Sequence, residues 1–167
     1  DFARYRATIA RDFLVEMRRF ARTVNPKAWI TCNNSLNSPS VLYSQSKTYG
    51  YNIQELSKAE DFVVVEDMGA QPRAASDGRL FEYGPTYRQL HALNHGKPIV
   101  AVTIAEADYH TPANLMRLAM AEAVAHEASY LSWPTWPENQ RERMIKAVNP
   151  AAVFYREHEN WLNGTRP

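Results

Sequence analysis

Glu66 and Glu106 each close an apolar run, VVVE within Asp61–Met68 and IVAVTIAE within Lys97–Glu106. The two runs are consecutive candidate strands. Parallel neighbours lie ~4.8 Å apart. Carboxylates at their carboxyl ends therefore come near the roughly 5–5.5 Å separation that retaining glycosidases use. In such a pair the surroundings hold one carboxyl protonated as general acid while the other stays ionised. Surface exposure or an ion pair is the alternative for each residue. Asp67 and Asp108 stand by as further carboxylates.

Other strand ends carry polar or aromatic groups. Ala28–Asn34 reads AWITCNN, and an amide from Asn33 or Asn34 can orient a sugar hydroxyl without adding charge. Plain turn chemistry explains Asn as well. Ala128–Trp136 reads ASYLSWPTW. Trp133 and Trp136 offer flat faces with a polar handle on which sugar C–H faces stack, or they pack under a loop. Tyr109 and His110 share a loop with Glu106, and Arg73 follows Glu66. Each is a candidate substrate contact. Ligands collect at the carboxyl ends of strands in parallel α/β proteins, which makes this recurrence informative.

Several chemistries find no support. His91 and His95 have the i, i+4 spacing of a zinc pair but lack the Glu of HExxH, so no metal is expected. Cys32, the single cysteine, has no positioned His nearby in sequence and reads as a small buried residue. There is no GxGxxG and no P-loop, and six glycines are few for a nucleotide cradle. No cofactor is expected. Net charge is +1 with both signs interspersed. Arg11, Arg18, Arg19 and Arg22 cluster on the first helix but read as a solvated face, so no nucleic-acid partner is expected. No apolar run reaches the ~18–20 residues of a membrane span. The Asn33-Asn34-Ser35 and Asn163-Gly164-Thr165 sequons are short enough to arise by chance.

The elements that must position these residues alternate. Residues 2–24 form a helix, with Ile9, Phe13, Met17, Phe20 and Val24 at the period of one buried face. Asn25-Pro26 ends it. A strand follows over 29–33. Residues 35–50 read as a long Ser-, Asn- and Tyr-rich loop, and 52–59 as a short helix. A strand at 62–66 leads into a second loop-like stretch, then a helix over 84–95 with Gly96 as its cap. A strand at 98–104 precedes a helix begun by Thr111-Pro112. The last strand spans 129–133. Helices at 138–148 and 149–161 close the chain, the second opened by Asn149-Pro150. This α-β-α-β-α-β-α-β-α-α order predicts an α/β fold with parallel strands alternating with helices, in one segment over 1–167. Continuous runs such as VVV and PIVAV suit strands covered on both faces. With 45% apolar and 11% aromatic residues, the composition is that of a packed domain.

The order FLVEMRRFARTVNPKAWITCNN, DFVVVEDM, GKPIVAVTIAE and RLAMAEAVAHEASYLSWPTW resembles the second half of a TIM-barrel glycoside hydrolase. Family 42 β-galactosidases and related uncharacterised barrel proteins are the nearest likeness, and FYREHENWL resembles their final helix. The resemblance implies half of a (β/α)8 barrel, strands 5 to 8. It places Glu106 at the nucleophile position, at the end of the seventh strand. Glu66, on the sixth, then binds substrate or modulates Glu106. The acid/base of that clan follows an Asn on the fourth strand, which this chain lacks. Asp1 leads straight into a helical pattern, and the chain reads as a segment of something longer. Expected partners are a carbohydrate substrate and either a complementary barrel half or another copy of the chain.

Overall fold

The computed structural model describes residues 2–34, 39–66, 82–104, 113–133 and 138–162. Helices and strands alternate as α1 (Phe2–Val24), β1 (Asn33–Asn34), α2 (Pro39–Tyr49), α3 (Ile53–Leu56), β2 (Val63–Glu66), α4 (Gly84–Leu93), β3 (Ile99–Ile104), α5 (Ala113–Ala125), β4 (Ala128–Trp133), α6 (Glu138–Glu157) and α7 (Glu159–Leu162). The four strands form one sheet in the order β1-β2-β3-β4, and every pair is parallel. The expected α/β alternation is therefore present.

One face of the sheet is buried. Val63, Val65, Ile99, Ala101 and Ala128 pack against Ile53, Tyr87, Leu90 and Ala123 of α3, α4 and α5. These strand residues alternate along each chain, as the period of two requires. A second cluster joins α5 to α6 through Met116, Met120, Met144 and Val148. α4 ends one residue after Leu93 at Asn94, ahead of the expected Gly96. The buried Asn94 side chain accepts from Gly96 N–H and donates to the Lys97 carbonyl, closing the turn.

Four expectations are corrected. The apolar stripe of α1 is not buried: Ile9, Phe13, Met17, Phe20 and Val24 are 45–76% exposed. The helix meets the body through Ala7, Arg11, Arg18 and Arg22, roughly 200° round the helix from the stripe. Ion pairing to Glu55 and Asp61 fixes that choice of face.

Part of the expected long loop is α2. Its apolar content is too low to signal a helix, and its support is tertiary. Arg6 donates to the carbonyls of Lys47 and Thr48, which the last turn leaves unpaired. β1 is shorter and later than expected. Over residues 30–32, side chains take the place of the ladder: Asp61 Oδ2 accepts from Ile30 N–H and Glu60 Oε1 from Cys32 N–H. Finally, Pro150 lies inside α6 and does not start a new helix.

Candidate functional site

Among the described residues, no helix of the core cluster packs on the second face of the sheet. Thr31, Asn33, Phe62, Val64, Glu66, Val100, Val102 and Leu131 line a groove of about 350 Å³ across it. Its floor is β-branched and apolar, and its polar groups gather towards the carboxyl ends of β1 and β2. Asn33 stands beside Val64 in the ladder, and Glu66 lies one pleat further along β2. That diagonal placement lets Asn33 Nδ2 donate to Glu66 Oε2 at 2.6 Å. The amide is thereby oriented, with its carbonyl oxygen turned from the carboxylate. Asn33 is exposed and Glu66 half-buried, so both remain within reach of a ligand.

Asn34 lies away from the groove. Strand alternation turns it to the helix-covered face, where it is 1% exposed. There it joins a buried polar knot that sequence reasoning missed. Glu60, fully buried, accepts at Oε1 from Cys32 N–H (2.9 Å), Cys32 Sγ (3.0 Å), Thr31 Oγ1 (3.2 Å) and Asn34 Nδ2 (3.2 Å). Its Oε2 has no hydrogen-bond partner among the described residues. The signal was weak, because an acidic pair just before a strand reads as a solvated turn. The knot also settles the character of Cys32. Burial, then the Glu60 charge and the hydrogen bond to it, push the thiol well above its ordinary pKa. Cys32 is partly exposed, so it is less buried than its sequence suggested.

Asp61 works beside Glu60. Burial pushes its carboxyl up, but the Ile30 N–H bond and the charges of Arg18 and Arg22 outweigh this and hold it below the usual range. The two residues together set the approach of β1 to β2, and so the Asn33–Glu66 contact.

β4 ends at Trp133, whose backbone stands beside Ile104 at the end of β3. Glu106, Asp67, Arg73, Tyr109, His110 and Trp136 lie outside the described residues. Trp29, which sequence reasoning did not select, is 68% exposed and its ring lies 6.0 Å from that of Phe62, a groove residue near the amino end of β2. A wider hollow of about 690 Å³ lies between β4, α5 and the α6–α7 tail. The smaller groove is the better candidate, because it alone combines the strand carboxyl ends with the Asn33–Glu66 pair.

His91 and His95 do not converge: His91 Nε2 meets the His126 carbonyl at 2.7 Å, and His95 Nε2 the Gln54 carbonyl at 3.0 Å. Among the described residues no three His, Cys, Asp or Glu side chains gather to hold a metal ion. No helix among them is long and apolar enough to cross a membrane.

Comparison with protein-family models, curated proteins and solved structures finds no match.

Proposed function

We propose that this chain is half of a (β/α)8 barrel, strands 5 to 8, of a retaining glycoside hydrolase resembling family 42 β-galactosidases. The observation that carries the reading is the 2.6 Å Asn33–Glu66 pair, held at the carboxyl ends of parallel strands beside the groove. Neutral amide and carboxylate side by side form a donor-and-acceptor set suited to vicinal sugar hydroxyls. Glu106 acts as nucleophile. Its oxygen bonds to the anomeric carbon as the glycosidic C–O bond breaks, and the leaving oxygen takes a proton from an acid supplied with the remaining strands. Water then displaces Glu106 and releases the sugar. Asn33 and Glu66 hold the sugar and tune the charge near Glu106. Asp67, Arg73, Tyr109, His110, Trp133 and Trp136 complete the proposed contacts.

The test uses aryl 2-deoxy-2-fluoroglycosides with dinitrophenolate leaving groups. Such leaving groups depart without a proton, so trapping needs the nucleophile but not the acid. The expected result is a covalent adduct on the peptide containing Glu106, absent in Glu106→Gln. Glu66→Gln should slow trapping by about 10–100-fold, the worth of a hydrogen bond to a charged group. Saturable sugar binding without any adduct would replace the enzyme by a noncatalytic carbohydrate-binding protein. A thiol hydrolase has less support, because the raised pKa of Cys32 keeps its sulfur protonated.

A further inference from the structure

Aromatic side chains crowd the surface where α1 begins and α2 ends. Phe2, Tyr5, Tyr43, Tyr49 and Tyr51 are 43–71% exposed. The rings of Phe2 and Tyr5 lie 6.5 Å apart and 23° from parallel, and those of Tyr49 and Tyr51 lie 6.3 Å apart at 42°. Both pairs are built on Arg6. Its guanidinium carbon stands 4.9 Å over the Phe2 ring while its nitrogens bond the Lys47 and Thr48 carbonyls. Gly50, between the second pair, approaches so closely that a Cβ there would meet Arg6 Cβ at 2.8 Å. All four ring-bearing residues therefore start within roughly 8 Å of Arg6. Tyr43 stands one turn back along α2, with Lys47 Nζ 4.8 Å over its ring.

We infer that this aromatic surface is a second carbohydrate-binding site, which holds a neutral polysaccharide chain on the flank of the fold, apart from the groove. The inference rests on the carbohydrate reading above and not on the Glu106 chemistry. Composition selects the occupant. The residues of α2 that are described as exposed are Ser40, Tyr43, Ser44, Lys47, Thr48 and Tyr49. They offer aromatic faces with hydroxyls between them and no aliphatic side chain, whereas a protein-docking face centres on an apolar core that excludes water. No Asp or Glu occurs in residues 2–11 or 39–51, so a cationic ligand finds no counter-charge. Sugar C–H faces stack on the rings, and sugar hydroxyls bond Ser44, Thr48 and the phenol tips. Arg6 and Lys47 hold two of the rings before any ligand arrives, so less side-chain freedom is lost on binding.

The position suits a polymer. β1 and β2 are parallel, so the chain must descend from the carboxyl end of one to the amino end of the other. It descends along α1, with Gly50 on Arg6, Glu55 on Arg11 and Asp61 on Arg18. From Arg6 to Arg18 the helix rises about 18 Å, and β2 climbs about 17 Å from Asp61 to Glu66. The Arg6 surface therefore stands at the height of the Asn33–Glu66 rim, on the neighbouring flank. A polysaccharide held there keeps its other segments at high local concentration beside the rim.

Affinity electrophoresis through native gels containing soluble galactan tests this, with a polysaccharide-free gel as reference. The expected result is retardation of the chain in galactan. Tyr49→Ala with Tyr51→Ala should weaken it by about tenfold or more, with the far-ultraviolet circular dichroism unchanged because both rings are exposed. Tyr49→Phe with Tyr51→Phe keeps the faces and should stay within about threefold of the parent. Phe20→Ala, at an exposed site about 21 Å along α1 from Arg6, should leave retardation unchanged. A parent chain that galactan does not retard overturns the proposal. So does full retardation of the double alanine variant, or retardation by polygalacturonate alone. Equal loss in Phe20→Ala marks general stickiness and also overturns it. Self-association abolished by the double alanine variant, without retardation, overturns it in favour of a protein partner. The two readings separate cleanly. Retardation without an adduct at Glu106 keeps this site and removes the enzyme, while an adduct on an unretarded chain keeps the enzyme and removes this site.

Discussion

Glu60 Oε1 lies 3.0 Å from Cys32 Sγ inside the helix-covered face of the sheet. A thiol so placed must lose its proton next to a buried carboxyl, and both burial and the neighbouring charge resist that.

The first prediction concerns this pair. Alkylation of Cys32 by iodoacetamide at pH 8 should be slower than that of a free thiol by at least about tenfold, since the thiolate is the nucleophile. Glu60→Gln removes the charge and should speed alkylation, while burial keeps it below the free rate. The substitution should also cost about 1–3 kcal/mol, the penalty for disturbing a buried acceptor. Rates followed by mass spectrometry decide the matter. Fast, Glu60-independent labelling would show that the pair does not control the sulfur.

Asp61 ties β1, β2 and α1 together. It accepts from Ile30 N–H at 2.9 Å and from Arg18 and Arg22 at 2.5 and 2.9 Å. Its pKa is lower in the folded chain than in the unfolded one. Unfolding therefore takes up protons. The stabilisation is complete above the unfolded carboxylate pKa and is lost as pH falls through the folded value. Urea titrations should show stability falling below about pH 4. Asp61→Asn should remove about 2–3 kcal/mol at pH 7 and flatten the acid limb. An unchanged acid limb in that variant would place the titration elsewhere.

Gly50 closes α2 against α1. Its φ is +75°, and a Cβ there would meet Arg6 Cβ at 2.8 Å and the Arg6 carbonyl carbon at 3.2 Å. Gly50→Ala should therefore cost about 2–3 kcal/mol, from left-handed strain plus overpacking. It should also disturb the Arg6 bonds to the end of α2. Gly96→Ala is the control. Its φ is +72° but nothing lies within 4 Å, so only the conformational cost of about 1–2 kcal/mol should appear. Equal losses in chemical unfolding would mean that the Arg6 contact carries no weight.

The residues themselves determined the alternation of strands with helices and the parallel sheet. Runs such as VVV and IVAV are short, mostly β-branched and apolar, which suits buried strands, though among the described residues the core-cluster helices pack on one face and not on both. The same runs placed Glu66 at a strand end, and the period of two then sent Asn33 and Asn34 to opposite faces. Which of the two faces the groove was decided only by the tertiary structure. So was the role of α1. Its apolar stripe is legible at steps of three and four, but periodicity says that a face is suited to burial and not that this chain buries it. Four arginine and alanine positions on the other side won, because Asp61 and Glu55 were waiting there. α2 and the Glu60 knot were invisible for a related reason. Both depend on partners 26 to 42 residues away in sequence, through Arg6 and through Asn34, Cys32 and Thr31. A local pattern records what a segment can do with water and with its neighbours along the chain. The carbonyl that a distant guanidinium caps, or the carboxyl that four donors surround, exists only once the chain has folded.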